Sequence, residues 1–148
     1  MCGNNSRQSC GGALAVLSLP IRSTRSAPPV MAGRLTFHDR GQGGTLATHA
    51  TFVPDEDDTT SLANIDSCVV GIHETGDLTR SAIISPFLHK FSMAQGCLAP
   101  DGQQRSMEVR LSHPMKIEVG GDGIIGRRVT MWAQNVMDPV AEGIIGYN

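Results

Sequence analysis

Between Ser106 and Val119 the chain reads SMEVRLSHPMKIEV, with an apolar side chain at every second position. Met107, Val109 and Leu111 alternate with Glu108, Arg110 and Ser112. After His113-Pro114 the pattern restarts as Met115, Ile117 and Val119 against Lys116 and Glu118. A strand points successive side chains to opposite faces, so period two over two successive runs means half-buried strands. Helical periodicity is sustained nowhere. The other apolar runs, among them RLTF, ATHATFV, SCVVGIHE and FLHKFSMAQG, are short and separated by Gly, Pro and Asp. Short strands with frequent turn signals predict an all-β domain, an antiparallel barrel or sandwich.

The 148 residues are enough for one domain with its own core. Residues 1–30 surround a single apolar run, ALAVLSLP (Ala13–Pro20), with Gly, Ser, Asn, Arg and Pro, and end at Pro28-Pro29. They read as a mobile N-terminal extension, either a lid over the domain or an unordered leader, with the domain itself at 31–148. The run is too short for a secretory core and is followed by Arg22 and Arg25. No stretch approaches the roughly 20 apolar residues of a membrane span. The expectation is a cytoplasmic protein with no membrane partner.

The net charge of −2 argues against a nucleic-acid partner. Charge is uneven: residues 1–40 hold five Arg and one Asp, and residues 41–148 hold seven basic and thirteen acidic side chains. Cys2, Cys10, Cys68 and Cys97 show no CxxC spacing, and the five histidines no HxxxH, so no metal site is expected. Cys68 and Cys97 sit in apolar surroundings and read as buried thiols. Asp55–Asp58 (DEDD) reads as a solvated loop rather than a cation site. Cys2 lacks the accompanying motifs of an N-terminal nucleophile.

The second marked feature is Gly121-x-Gly123-x-x-Gly126 after the alternating run. A dinucleotide fingerprint needs a helix after the glycines and further parallel strands. Only 22 residues follow Gly126, and RRVTMWAQNV alternates as readily as it winds. The turn is therefore expected to join two strands as a hairpin, its glycines supplying positive φ, and the chain to use no nicotinamide or other cofactor.

VGGDGIIGRRVTM resembles the glycine hairpin of the allene oxide cyclase-like and dirigent-like barrels, with Gly120, Gly121, Gly123, Gly126 and Arg127 or Arg128 in matching places. CLAPDGQQ resembles that family's strand ending in a Pro-Asp-Gly turn, and FVPDEDDTTSLANIDSCVVG its acidic loop and following strand. Asp122 stands for the usual Thr, and Ile124-Ile125 for the aromatic. The resemblance spans residues 50–135. It implies a single antiparallel barrel of about eight strands with a central cavity, associating as dimers or trimers. It further implies a cofactor-independent cyclase closing a ring of a polyketide-like molecule, by [4+2] addition among other routes. Such a reaction gains chiefly from holding the reacting carbons together.

Alternation on FLHKFSMA places Phe87, His89, Phe91 and Met93 on one face, expected to point inward. His89 is the candidate catalytic donor to a substrate carbonyl, with a satisfied core histidine as the plain alternative. Phe87, Phe91, Met93, Met107 and Trp132 are the candidate walls for a small apolar ligand, and each also suits ordinary packing. Two other readings stand beside the cyclase: a β-rich assembly protein such as a virion coat or decoration subunit, and a lipocalin-like binder without chemistry.

Overall fold

The computed structural model describes residues 11–21, 31–40, 44–55, 65–98, 106–134 and 136–148. Nine antiparallel strands form one sheet: β1 (Ala13–Leu17), β2 (Gly33–His38), β3 (Leu46–Pro54), β4 (Val69–His73), β5 (Phe87–Ser92), β6 (Cys97–Leu98), β7 (Met107–Lys116), β8 (Arg128–Trp132) and β9 (Ala141–Tyr147). Eight are five residues or longer and β6 is a two-residue stub. The only helical pieces among the described residues are 3-10 turns at Ile65–Ser67 and Met93–Gln95. The protein is all-β, as the alternation predicts.

Strand order is β5-β4-β8-β9-β1-β2-β3-β7-β6. The two ends of that order, β5 and β6, are consecutive in the chain and joined by the Met93–Gln95 turn. One segment thus pairs with β4 at its start and β7 at its end, which curls the sheet into a nearly closed barrel. Met93 N–H donates to the Cys68 carbonyl at 3.0 Å, extending the β4–β5 pairing by one position.

The interior is a single cluster. Ala13, Ala15 and Leu17 of β1 meet Leu35 and Phe37 of β2, Phe52 of β3, Val70 and Ile72 of β4, and Met131 of β8. Phe91 of β5 meets Phe37 of β2 edge-to-face, ring centroids 6.2 Å apart, although these strands are far apart in the sheet order. The aromatic rings reach across the axis, and alanines on β1 and β3 leave them room.

Ala13–Leu17, expected in an extension before the domain, is instead an interior strand. It pairs with β2 over five registered positions and with β9 over three. The run ALAVL alternates like any other strand here, burying Ala13, Ala15 and Leu17 and exposing Val16. Its polar surroundings in sequence concealed it. The lid reading for this run falls with that placement. Residues 1–10 and 22–30, Cys2 and Cys10 with them, lie outside the described residues, as do most of DEDD and the Pro-Asp-Gly turn.

The long alternating run is one strand with a bulge. Ala47 faces Met115 and His49 faces Arg110, so Leu111–Pro114 arches out opposite Thr48. Alternation stops at Ile117, and Val119 is exposed. The glycine segment is a corner rather than a hairpin, because β7 and β8 are not neighbours. Gly120, Gly121 and Gly126 take positive φ (83°, 54° and 81°). Ile124 within the corner is fully buried and belongs to the core cluster. The Arg127 guanidinium gathers the carbonyls of Gly121, Gly123 and Glu74, tying the corner to the loop after β4. A strand, β8, follows the glycines where a dinucleotide turn would have a helix.

Candidate functional site

The outer face of β4, β8 and β9 carries five of the six buried polar side chains found among the described residues, Ser85 of the covering segment included. Inward positions on these strands are apolar: Val70 pairs with Met131 and Ile72 with Val129. The alternate positions therefore face out, bringing together Val69, Gly71 and His73 of β4, Arg128, Thr130 and Trp132 of β8, and Glu142 of β9. The segment after Asp77 folds back over this face, so His73, Ser85, Arg128, Thr130 and Glu142 are all buried.

A hydrogen-bonded line crosses the cluster. Trp132 Nε1–H donates to Thr130 Oγ1 at 2.8 Å. Thr130 Oγ1 lies 2.8 Å from His73 Nε2, and His73 Nδ1 lies 3.2 Å from the Ser85 carbonyl. A carbonyl only accepts, so Nδ1 carries a proton. In the neutral imidazole Nε2 then accepts from the Thr130 hydroxyl, whose other acceptor is the Gly71 carbonyl at 3.5 Å. Burial, joined by the nearby Arg128 charge, lowers the His73 pKa, against a smaller upward pull from the Ser85 carbonyl.

Below this line the Arg128 Nε and Nη2 donate to Glu142 Oε2 at 3.0 and 2.5 Å, both side chains being 3% exposed. Arg128 Nη1 donates to the carbonyls of Arg80 (2.8 Å) and Asp77 (3.4 Å), and Glu142 Oε1 accepts from Ile21 N–H at 2.8 Å. One guanidinium therefore fastens the covering loop to the barrel wall.

Phe87 does not point inward with Phe91. A bulge between Ile72 and His73 sets Ile72 opposite His89 but His73 opposite Phe87, turning Phe87 to the outer face. Its ring stacks on His73 at 4.4 Å between centroids and meets Trp132 at 6.2 Å in an edge arrangement. Gly71 makes this possible, since a Cβ there would lie 2.3 Å from Phe87 Cε1. Val69, Gly71, Ile83, Phe87, Lys90 and Trp132 together line an outer groove of about 300 Å³. Lys90 Nζ stands 4.3 Å over the Phe87 ring centre.

The candidate residues thus divide. Phe87 and Trp132 come together in the outer groove. Met93 and Met107 are buried in the core and Phe91 packs against it. His89 shares the inner face with Ile72; its Nε2 is buried with no hydrogen-bond partner among the described residues, and burial lowers its pKa despite the Asp122 carbonyl. His73, Thr130, Arg128, Glu142, Gly71 and Lys90 were missed by sequence reasoning. One signal was available: a glycine inside a strand, as in VVGIH, marks a close approach by another group. Cys68 is buried, which pushes its thiol up to about 11, whereas Cys97 is exposed, against expectation. Among the described residues no three His, Cys, Asp or Glu side chains converge as metal ligands, and no helix is long and apolar enough to cross a membrane.

His38, His73 and His89 are each held below the ordinary value of 6.5, with burial the largest cause. The unfolded chain then binds protons that the folded one refuses, so stability is complete above pH 6.5 and falls as the pH drops towards the folded values. The thermal midpoint should decline between pH 7.5 and pH 5 and recover on return. A midpoint that rises on acidification would refute buried neutral histidines. No protein-family model and no curated protein matches this chain.

Proposed function

We propose that the protein binds a small apolar molecule in the outer groove between β4 and the loop carrying Ile83, with Phe87 and Trp132 as its walls. The observation that carries this reading is the groove itself. Its volume of about 300 Å³ lies at the lower limit of small-molecule sites, and its lining is mostly apolar and aromatic. Its walls are also held before any ligand arrives. Trp132 is anchored through Thr130, Phe87 rests on His73, and the Ile83 loop is fastened by Arg128. A wall already fixed loses little conformational freedom on binding, which favours affinity.

Ring closure inside the barrel, which the family resemblance implies, requires a void along the axis. Phe37, Phe52, Leu35, Ile72 and Met131 are instead all fully buried in one cluster there. The proposal therefore places the ligand outside the barrel and concerns binding rather than turnover.

Trp132 is the only tryptophan, so its emission reports the groove directly. Titration with 1-adamantanemethanol, which neither absorbs nor emits near indole, should shift or quench it saturably. Trp132→Phe should weaken binding of the same probe, measured by calorimetry, by roughly tenfold through lost wall area. Its stability cost should be only about 1 kcal/mol, for the bond to Thr130. Unchanged affinity in the Phe variant would remove Trp132 from the site.

A further inference from the structure

Resting on the groove as a binding site, we infer that its ligand is an organic acid: an apolar body carrying one carboxylate or similar anionic group that pairs with Lys90. Among the described residues every other side chain lining the groove is apolar apart from the indole N–H of Trp132, and that donor is already committed to Thr130. A polar ligand group would find only the Lys90 ammonium to satisfy it, and an anion uses that partner better than a neutral acceptor does, because both ends of the hydrogen bond are then charged. Lys90 is the one lining group with donors to spare. It is exposed and forms no ion pair with any described carboxylate; among the described residues it meets the face of Phe87, 4.3 Å below.

The surrounding charges point the same way. The buried Glu142 behind the groove is neutralised by Arg128. His73, behind Phe87, has its pKa lowered by burial and is neutral at pH 7.5. The groove mouth therefore presents one uncompensated positive charge above an apolar floor. Lys90 is in register with Gly71, the floor residue on which Phe87 lies. An anion entering over that floor reaches the ammonium by a swing of the lysine stem, while the apolar body replaces the ammonium over the rings. The cation–π contact is exchanged for a charge-assisted hydrogen bond, the stronger of the two at a partly desolvated site.

The test compares 1-adamantanecarboxylate with 1-adamantanemethanol, which have the same body and differ in the charged group. Both are titrated at pH 7.5 on the full chain, read by Trp132 emission and by calorimetry. The acid should bind about tenfold tighter than the alcohol, and the difference should shrink as salt rises. Lys90→Gln should weaken the acid by about tenfold more than it weakens the alcohol, so that the two bind alike; an exposed side chain can be replaced without endangering the fold. Equal binding of acid and alcohol by the native chain would overturn the inference while leaving the groove as a binding site. So would an equal loss of both in Lys90→Gln. If neither probe binds, the reading of the groove fails, and this inference with it.

Discussion

A chain that begins at Met31 should fail to fold. Such a deletion removes Ala13–Leu17, the strand inserted between β9 and β2, with its five registered positions on one side and three on the other. At about 1 kcal/mol net for each ladder hydrogen bond, that alone costs several kcal/mol. Burial of Leu17, 1% exposed, is lost in addition, and a leucine contributes roughly 1.5–3 kcal/mol. A domain's whole stability is about 5–15 kcal/mol, so the sum is of the same size. The barrel would also gain two unpaired edges, along β2 and β9, which invite aggregation. The expected observation is loss of the cooperative thermal transition and of the strand signal in circular dichroism. Leu17→Ala in the full chain should lower stability by about 2–5 kcal/mol without abolishing folding. A Met31 chain with a native-like transition would show that β1 is dispensable.

This expectation reverses what the sequence suggests, and the reason is physical. Alternation is legible where a strand has apolar residues on one face and charged ones on the other, as Met107, Val109 and Leu111 do against Glu108 and Arg110. In β1 the outer positions are Leu14 and Val16, both apolar, so ALAVL reads as a uniform hydrophobic patch among Gly, Ser and Arg. The fold class needed only the legible strands. Strand order needed pairings between distant segments, such as β1 with β9, which no local pattern carries.

The candidate site was legible in part for a related reason. Strict period two predicts Phe87 and Phe91 on one face. A single bulge at Ile72/His73 breaks that period, and bulges leave little trace in a sequence. Phe87 and Trp132 nonetheless stand out in the sequence, because large aromatics are few and contribute much buried area wherever they lie. His73 was passed over because a histidine at the end of an apolar strand looks like a boundary. Its partner Thr130 is 57 residues away. Glycine at 71 was the readable clue, and its reason, the Phe87 ring, appears only in three dimensions.

The Arg128–Glu142 pair sets the last expectation. Both side chains are 3% exposed, and each is the other's only charged partner among the described residues. Arg128→Ala leaves the Glu142 carboxylate buried with a single N–H donor, from Ile21. Glu142→Ala leaves the guanidinium buried against two loop carbonyls. Breaking a buried pair from one side costs about 3–5 kcal/mol, because the remaining charge has lost both water and partner. Either variant should lower the urea midpoint accordingly. Removing both charges with groups of similar length, Arg128→Met with Glu142→Leu, should recover most of that loss, since well-packed apolar residues replace a buried pair at little or no net cost. Stability and ligand binding should then separate. The double variant still lacks the guanidinium bonds to Asp77 and Arg80 that hold down the loop carrying Ile83. Its affinity for 1-adamantanemethanol should therefore stay well below that of the native chain, although its midpoint has returned. A double variant restored in both respects would mean that the pair supports the fold alone and that the groove wall is held by something else.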